Sequence, residues 1–137
     1  MAFMFEKLEV YQRAVCLSEK VTRLTEGFPP KGYYHLVDQL RRASLSICLN
    51  IAEGNGRWHP KDRKNFFWIA RGSIFECVPL VELCRREGLI TEENCAELRA
   101  ELEVLAKMIS ALIKGMDRRR ENGGAGGREN DYRPLGV

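Results

Sequence analysis

Residues 36–54 read LVDQLRRASLSICLNIAEG, and this stretch decides the fold class. Residues suited to the inside of a helical bundle recur there at spacings of three and four: Leu36, Leu40, Ser44, Ile47 and Ile51. Such spacing places all of them on one face of an α-helix. The pattern predicts a helix over residues 33–53, with Gly54 as its stop, because glycine commonly follows the last helical turn.

Two leucines of this stretch lie where a monomeric helix should meet water. On a helical projection Leu45 and Leu49 fall almost opposite Leu40. Trp68 and Phe75 raise the same question in the next predicted helix, because one bundle cannot bury apolar side chains on every face. We therefore expect a homo-oligomer whose interface contains Leu45, Leu49, Trp68 and Phe75.

Three further helices are predicted around this one. The first covers residues 5–26 and cannot continue through Pro29 and Pro30, which lack the backbone N–H that the helix needs. The third covers residues 60–87 and is apolar nearly all round, which is typical of a central helix. The fourth begins after Thr91, whose hydroxyl is suited to cap a helix start.

Four long helices joined by short connections predict an all-α protein with an antiparallel up-down-up-down four-helix bundle. The bundle should occupy residues 1–121. Residues 122–137 contain a run of small residues and should form a flexible glycine-rich linker and a C-terminal tail. Pro79 lies well inside the third helix and should kink it.

Composition narrows the class of protein. A chain of 137 residues can bury a core as a single domain, and a net charge of +3 permits contact with nucleic acid without demanding it. The five cysteines are scattered and form no C-x-x-C pair, which favours a reducing compartment. No apolar run approaches the roughly 20 residues of a membrane span. These features predict a cytoplasmic protein without membrane contact.

The sequence offers little for catalysis. His35 and His59 are the only histidines, and neither has a helix-spaced partner that would complete a metal site. Motifs for a nucleophile elbow or a phosphate-binding loop do not occur. Asn50, Glu53 and Glu76 are better suited to hydrogen bonds between helices than to acid-base chemistry. We expect no enzyme, no metal and no cofactor.

A concentration of positive charge lies at the predicted corner between the second and third helices. We name residues 57–64 the basic corner; its candidate nucleic-acid-binding residues are Arg57, Trp58, Lys61, Arg63 and Lys64. Cations and the N–H groups of a helix start can hold phosphate, and an indole ring can stack on a base. Cations that are only solvated residues at the helix ends would give the same pattern. The charge count does not decide between this interpretation and nucleic-acid binding.

Several separated motifs occur in an order that identifies a family. They are QLRRA at 39–43, NIAEG at 50–54, and Phe66 followed by Ile69, Ala70, Gly72, Ser73 and Glu76. With them, the chain resembles the four-helix bundle family of the 23S rRNA intervening-sequence protein, which includes Avd-type accessory proteins of diversity-generating retroelements. The resemblance implies a homopentameric ring, and for some members it implies binding of nucleic acid and of a reverse transcriptase.

Two functions from different classes follow. The first is a non-enzymatic oligomeric accessory protein that binds RNA or DNA and delivers it to a reverse transcriptase. The alternative is a protein-binding scaffold without nucleic-acid contact. Binding of nucleic acid should depend steeply on salt because counterions are released, whereas an apolar protein contact should not.

Overall fold

The computed structural model describes residues 3–122, with side chains to residue 118. A 3₁₀ turn at Met4–Lys7 precedes four helices, which are α1 (Glu9–Glu26), α2 (Tyr34–Gly56), α3 (Pro60–Arg86) and α4 (Glu92–Asn122). No strand occurs in this part of the chain. The predicted four-helix bundle is confirmed. The predicted linker and tail lie outside the described residues from residue 123 onward.

The helices pack in chain order around one core. α1 packs against α2, α2 against α3 and α3 against α4, and α4 closes the bundle against α1. Two contacts fix the antiparallel register of α3 and α4: Lys64 pairs with Asp117, and Arg71 Nε donates to Ser110 Oγ at 3.1 Å. Moving along α3 therefore corresponds to moving backward along α4.

One stripe of α3 forms its side of the core. The buried residues repeat at spacings of four and three: Arg63, Phe67, Ala70, Ser73, Ile74, Cys77, Val81 and Cys84, with Ser73 flanking the stripe. Every position of the stripe itself except the first is apolar, so burial of these side chains supplies the driving force that docks α3.

The connection between α3 and α4 follows from two residues. Gly88 has a φ of 72°, a left-handed conformation that side chains with a Cβ disfavour, and Leu89 N–H donates to Cys84 O at 2.9 Å. Thr91 then caps α4 by accepting a hydrogen bond from Asn94 N–H at 3.0 Å. The predicted helix start at Thr91 is confirmed.

Gly54 has a different role from the predicted one. α2 continues past it to Gly56, and the φ of Gly54 is not positive, so it is not a helix stop. A Cβ at this position would meet Phe67 Cε1 at 2.8 Å and Phe66 Cβ at 3.1 Å. The prediction was wrong because glycine is needed here for close packing of α2 against α3, and spacing alone cannot separate the two roles.

The outer face of α3 does not enter the core of this bundle. α3 continues as one helix through Pro79, and Ile69 and Leu83 are exposed, although the all-round apolar pattern suggested a central helix. A single bundle has no element on this side of α3. The exposed apolar face is therefore surface in the single chain.

Candidate nucleic-acid interface

The basic corner begins where α2 ends. Arg57 is the residue after the last turn of α2, and Pro60 opens α3, so the chain turns within a few residues. Proline is favoured at this place because its fixed φ suits the first helical turn. The turn leaves Trp58 and Lys61 exposed at one end of the bundle.

Arg57 makes two local contacts. Its guanidinium pairs with Glu53 at 3.3 Å and lies 4.7 Å from the centre of the Phe66 ring. Both charged side chains are about half exposed, and exposed pairs of this kind stabilise a protein by less than about 1 kcal/mol. A phosphate group could therefore replace Glu53 at little cost.

Lys61 and Lys64 differ in availability. Within residues 3–118, Lys61 forms no ion pair, and its side chain is exposed in the first turn of α3. The Lys64 ammonium pairs with the Asp117 carboxylate and thereby joins α3 to the last turns of α4. Lys64 is thus mainly a link between helices, and only its exposed part can contribute to an anion site.

Arg63 requires a correction. The sequence placed it among the surface cations of the basic corner, but its side chain is only 3% exposed. It occupies the first position of the buried α3 stripe, four residues before Phe67 and seven before Ala70. That spacing was a usable signal, because a residue in phase with a core stripe faces the core whatever its charge.

A second cationic surface lies along the contact between α3 and α4. We name it the α3/α4 groove; its polar lining residues are Arg71, Glu103, Lys107, Ser110, Lys114 and Arg118. Four of these side chains are cations and one is an acid. The acid, Glu103, already pairs with Lys107 at 3.3 Å. Within residues 3–118 Lys114 and Arg118 form no ion pair, so their charge faces solvent.

Arg71 is the central side chain of the groove. Besides the hydrogen bond to Ser110, its guanidinium lies 4.5 Å from the centre of the Phe75 ring and 5.6 Å from that of Trp68. Both distances are within the range of cation–π attraction. Trp68 is 49% exposed and Phe75 is 54% exposed, so both rings flank the arginine at the surface.

One stripe of α3 joins the corner to the groove. Its cations and aromatic rings follow spacings of three and four: Lys61, Lys64, Trp68, Arg71 and Phe75. Residues at such spacing share one side of a helix. Lys107, Lys114 and Arg118 are likewise seven and four residues apart on α4. The groove was not predicted from the sequence, because its cations form no short run of charge there; the signal that could have revealed it is their helical spacing.

The predicted interface residues fall into two regions. Leu45 and Leu49 are 47% and 54% exposed on α2, and Ile69 and Leu83 are likewise exposed on α3. We name these four residues the apolar face. Trp68 and Phe75 lie beside Arg71, which lines the α3/α4 groove, and their place in an oligomer interface stays a prediction.

Several cations near the opposite end of the bundle are paired with carboxylates. Arg85 bridges Glu82 and Glu92, and hydrogen bonds from Arg85 and Arg86 lower the pKa of Glu82 to about 2. Lys20 pairs with Glu97 and Glu101, and the hydrogen bond to Glu97 is the main cause of its raised pKa. Among the described residues, the exposed cations without an ion pair therefore lie mainly at the corner and in the groove, with Lys7 and Lys31 elsewhere.

Within residues 3–118, no group of three histidine, cysteine, aspartate or glutamate side chains could hold a metal ion. None of the described helices is both long enough and apolar enough to cross a membrane.

Comparison with known proteins places the chain in a family. The sequence profile described as 23S rRNA-intervening sequence protein matches residues 6–111, which is most of the chain. The chain belongs to this family. The match confirms the resemblance carried by the QLRRA and NIAEG motifs. It includes the basic corner and the α3 side of the groove, while Lys114 and Arg118 lie beyond it.

A solved structure shares the fold. It is the crystal structure of a protein of unknown function from the S23 ribosomal protein family of Bacteroides thetaiotaomicron. The two sequences are 22% identical, the match covers 77% of this chain and 98% of the other, and the TM-score is 0.72. No curated protein matches the chain significantly.

Proposed function

We propose that this family member is a non-enzymatic, oligomeric, cytoplasmic protein that binds RNA or DNA through the basic corner and the α3/α4 groove. The observation that carries the proposal is the lining of the groove, where four cations face one already paired acid. The name of the family, which refers to 23S rRNA, supports an association with RNA.

Phosphate contacts explain how such a surface would work. Each lysine or arginine that neutralises a phosphate releases condensed counterions, and this release supplies most of the affinity of sequence-independent binding. Arg71, Lys114 and Arg118 are suited to the backbone of a polynucleotide, and Arg57 and Lys61 extend the surface around the corner. These contacts position a nucleic acid without selecting its sequence.

Assembly would raise the affinity. One protomer offers few available cations, but copies arranged around a ring could contact one polyanion together, and linked contacts multiply affinity. The exposed apolar face supports self-association, and we propose the homopentamer that the family resemblance implies. Delivery of the bound nucleic acid to a reverse transcriptase is the accessory role that we propose for the assembly.

The test is filter binding of a structured RNA at low salt with two charge variants. The groove variant is Arg71→Gln, Lys114→Gln and Arg118→Gln, and the corner variant is Arg57→Gln and Lys61→Gln. Each should weaken binding at least about tenfold, because counterion release is lost with every phosphate contact. Circular dichroism and light scattering should show that the helices and the oligomer persist.

A matched control removes as many charges elsewhere. Arg23→Gln, Lys31→Gln and Arg86→Gln neutralise three exposed cations at the other end of the bundle. The affinity of this control for RNA should stay within about twofold of the parent's, because binding depends on contacts at the groove and the corner and not on the net charge of the protein. If the groove and corner variants bind as tightly as the parent, neither surface is the site.

The alternative function is a protein-binding scaffold, and the apolar face favours it. Exposed leucines that lie close together mark a surface that contacts a protein. In the scaffold function this protein is a different partner and not a second copy of the chain. A scaffold of this kind would retain its partner at high salt, whereas a nucleic-acid complex would dissociate.

A further inference from the structure

We infer that the α3/α4 groove takes single-stranded RNA, with unpaired bases stacked on Trp68 and Phe75 and phosphates held by Arg71, Lys114 and Arg118. The inference rests on the proposed function and adds the strand class that the groove selects. It assigns Trp68 and Phe75 to ligand binding, whereas sequence reasoning placed them in the oligomer interface.

The alternation of ring and cation carries the argument. Trp68 and Phe75 lie seven residues apart on α3, roughly 10 Å along its axis, and Arg71 lies between them with its guanidinium near both rings. Surfaces that bind single strands combine aromatic platforms for bases with cations that follow the backbone. Both kinds of group occur here on one edge of one helix.

The opposite wall of the groove complements this edge. Lys114 and Arg118 project from α4, and Ser110 holds the Arg71 guanidinium through its Nε. This hydrogen bond fixes the arginine between the rings and leaves its terminal nitrogens for a phosphate. A strand lying in the groove would thus meet rings on the α3 side and positive charge on the α4 side.

The geometry favours an unpaired strand over a duplex. In a double helix the bases are stacked on each other and their faces are covered, so exposed rings find nothing to stack on. Cations alone would bind a duplex as well as a single strand, because both present phosphates. The two exposed rings, at 49% and 54% exposure, are what should discriminate between them.

Two RNA ligands and a set of ring variants test the inference. Affinity is measured by fluorescence anisotropy for two ligands. One is an unstructured RNA of about 20 nucleotides, and the other is the same RNA annealed to its complement to form a short duplex. Trp68→Leu and Phe75→Leu keep apolar bulk but remove the ring. Each should weaken single-strand binding at least about fivefold and leave duplex binding unchanged.

Two variants serve as controls. Trp68→Phe keeps a ring and should restore most of the single-strand affinity. Tyr34→Leu removes an exposed ring at the start of α2, at the other end of the bundle, and should change neither affinity. In a Trp58→Phe background, Trp68 is the remaining tryptophan, and its emission should be quenched by the single strand only.

The outcomes separate this inference from the proposed function. If Trp68→Leu and Phe75→Leu bind the single strand as tightly as the parent while the groove charge variant loses affinity, nucleic-acid binding stands and stacking is refuted. If the ring variants lower the oligomer mass in light scattering, and each protomer still binds the single strand as tightly as in the parent, the rings belong to the interface. The inference is then overturned.

Discussion

Gly54 has only a hydrogen atom in place of a side chain, and this allows α2 and α3 to pack closely against each other. Phe67 is fully buried, and a Cβ on residue 54 would meet its ring at 2.8 Å. We expect Gly54→Ala to lower the free energy of unfolding by about 1–3 kcal/mol, because overpacking outweighs the gain in helix propensity. Thermal or urea unfolding measures this change.

Gly115→Ala is the matched control. Gly115 lies within α4, and nothing within 4 Å would meet its Cβ. The substitution should stabilise the protein by up to about 1 kcal/mol, as expected for alanine in a helix. Stabilisation by both variants would show that the contact between α2 and α3 at Gly54 is looser than described.

Cysteine reactivity follows from burial. Cys48, Cys77, Cys84 and Cys95 are buried and Cys16 is exposed. Burial raises the pKa of the Cys77 thiol to about 12 and that of Cys84 to about 11, so both stay protonated at pH 8 and are poor nucleophiles. A thiol reagent at pH 8 should label one cysteine rapidly and all five after unfolding. Rapid labelling of several thiols in the native protein would contradict this packing.

At the scale of the helices, the sequence predicted what depends on regular spacing. The helix starts at Pro60 and Thr91 agree with the structure, as does the core stripe of α2, because apolar periodicity and capping act locally. Arg63 and Gly54 were misjudged, since their roles depend on what the neighbouring helix presents. The α3/α4 groove also joins residues far apart in the chain, and helix pairing was needed to bring them together.

Pro79 provides a test of α3 as an element. It is exposed within a continuous helix, where a proline lacks the N–H that would donate to the carbonyl four residues earlier. We expect Pro79→Ala to raise the free energy of unfolding by about 1–3 kcal/mol, measured by urea unfolding. A loss of stability would mean that the proline ring makes contacts in the assembly that alanine cannot replace.

At the scale of the whole molecule, the apolar face predicts assembly. Leu45→Glu with Leu49→Glu places two charges on an exposed surface that should be buried in the oligomer, where unpaired charge is costly. Light scattering should show the parent as an oligomer and the variant at a mass near 15.7 kDa with its helical content retained. A parent that is monomeric at micromolar concentration would contradict the assembly.

The central claim is that available positive charge at the corner and in the groove holds nucleic acid, and the salt dependence of RNA affinity tests it most directly. Affinity of the parent for an unstructured RNA is measured across a series of NaCl concentrations and plotted as log K against log salt. Arg57, Lys61, Arg71, Lys114 and Arg118 predict a slope steeper than about −3, because each neutralised phosphate of a single strand contributes about −0.7. The groove variant should reduce the magnitude of that slope by about 2. Absence of binding at low salt, or a slope near zero, would contradict the account.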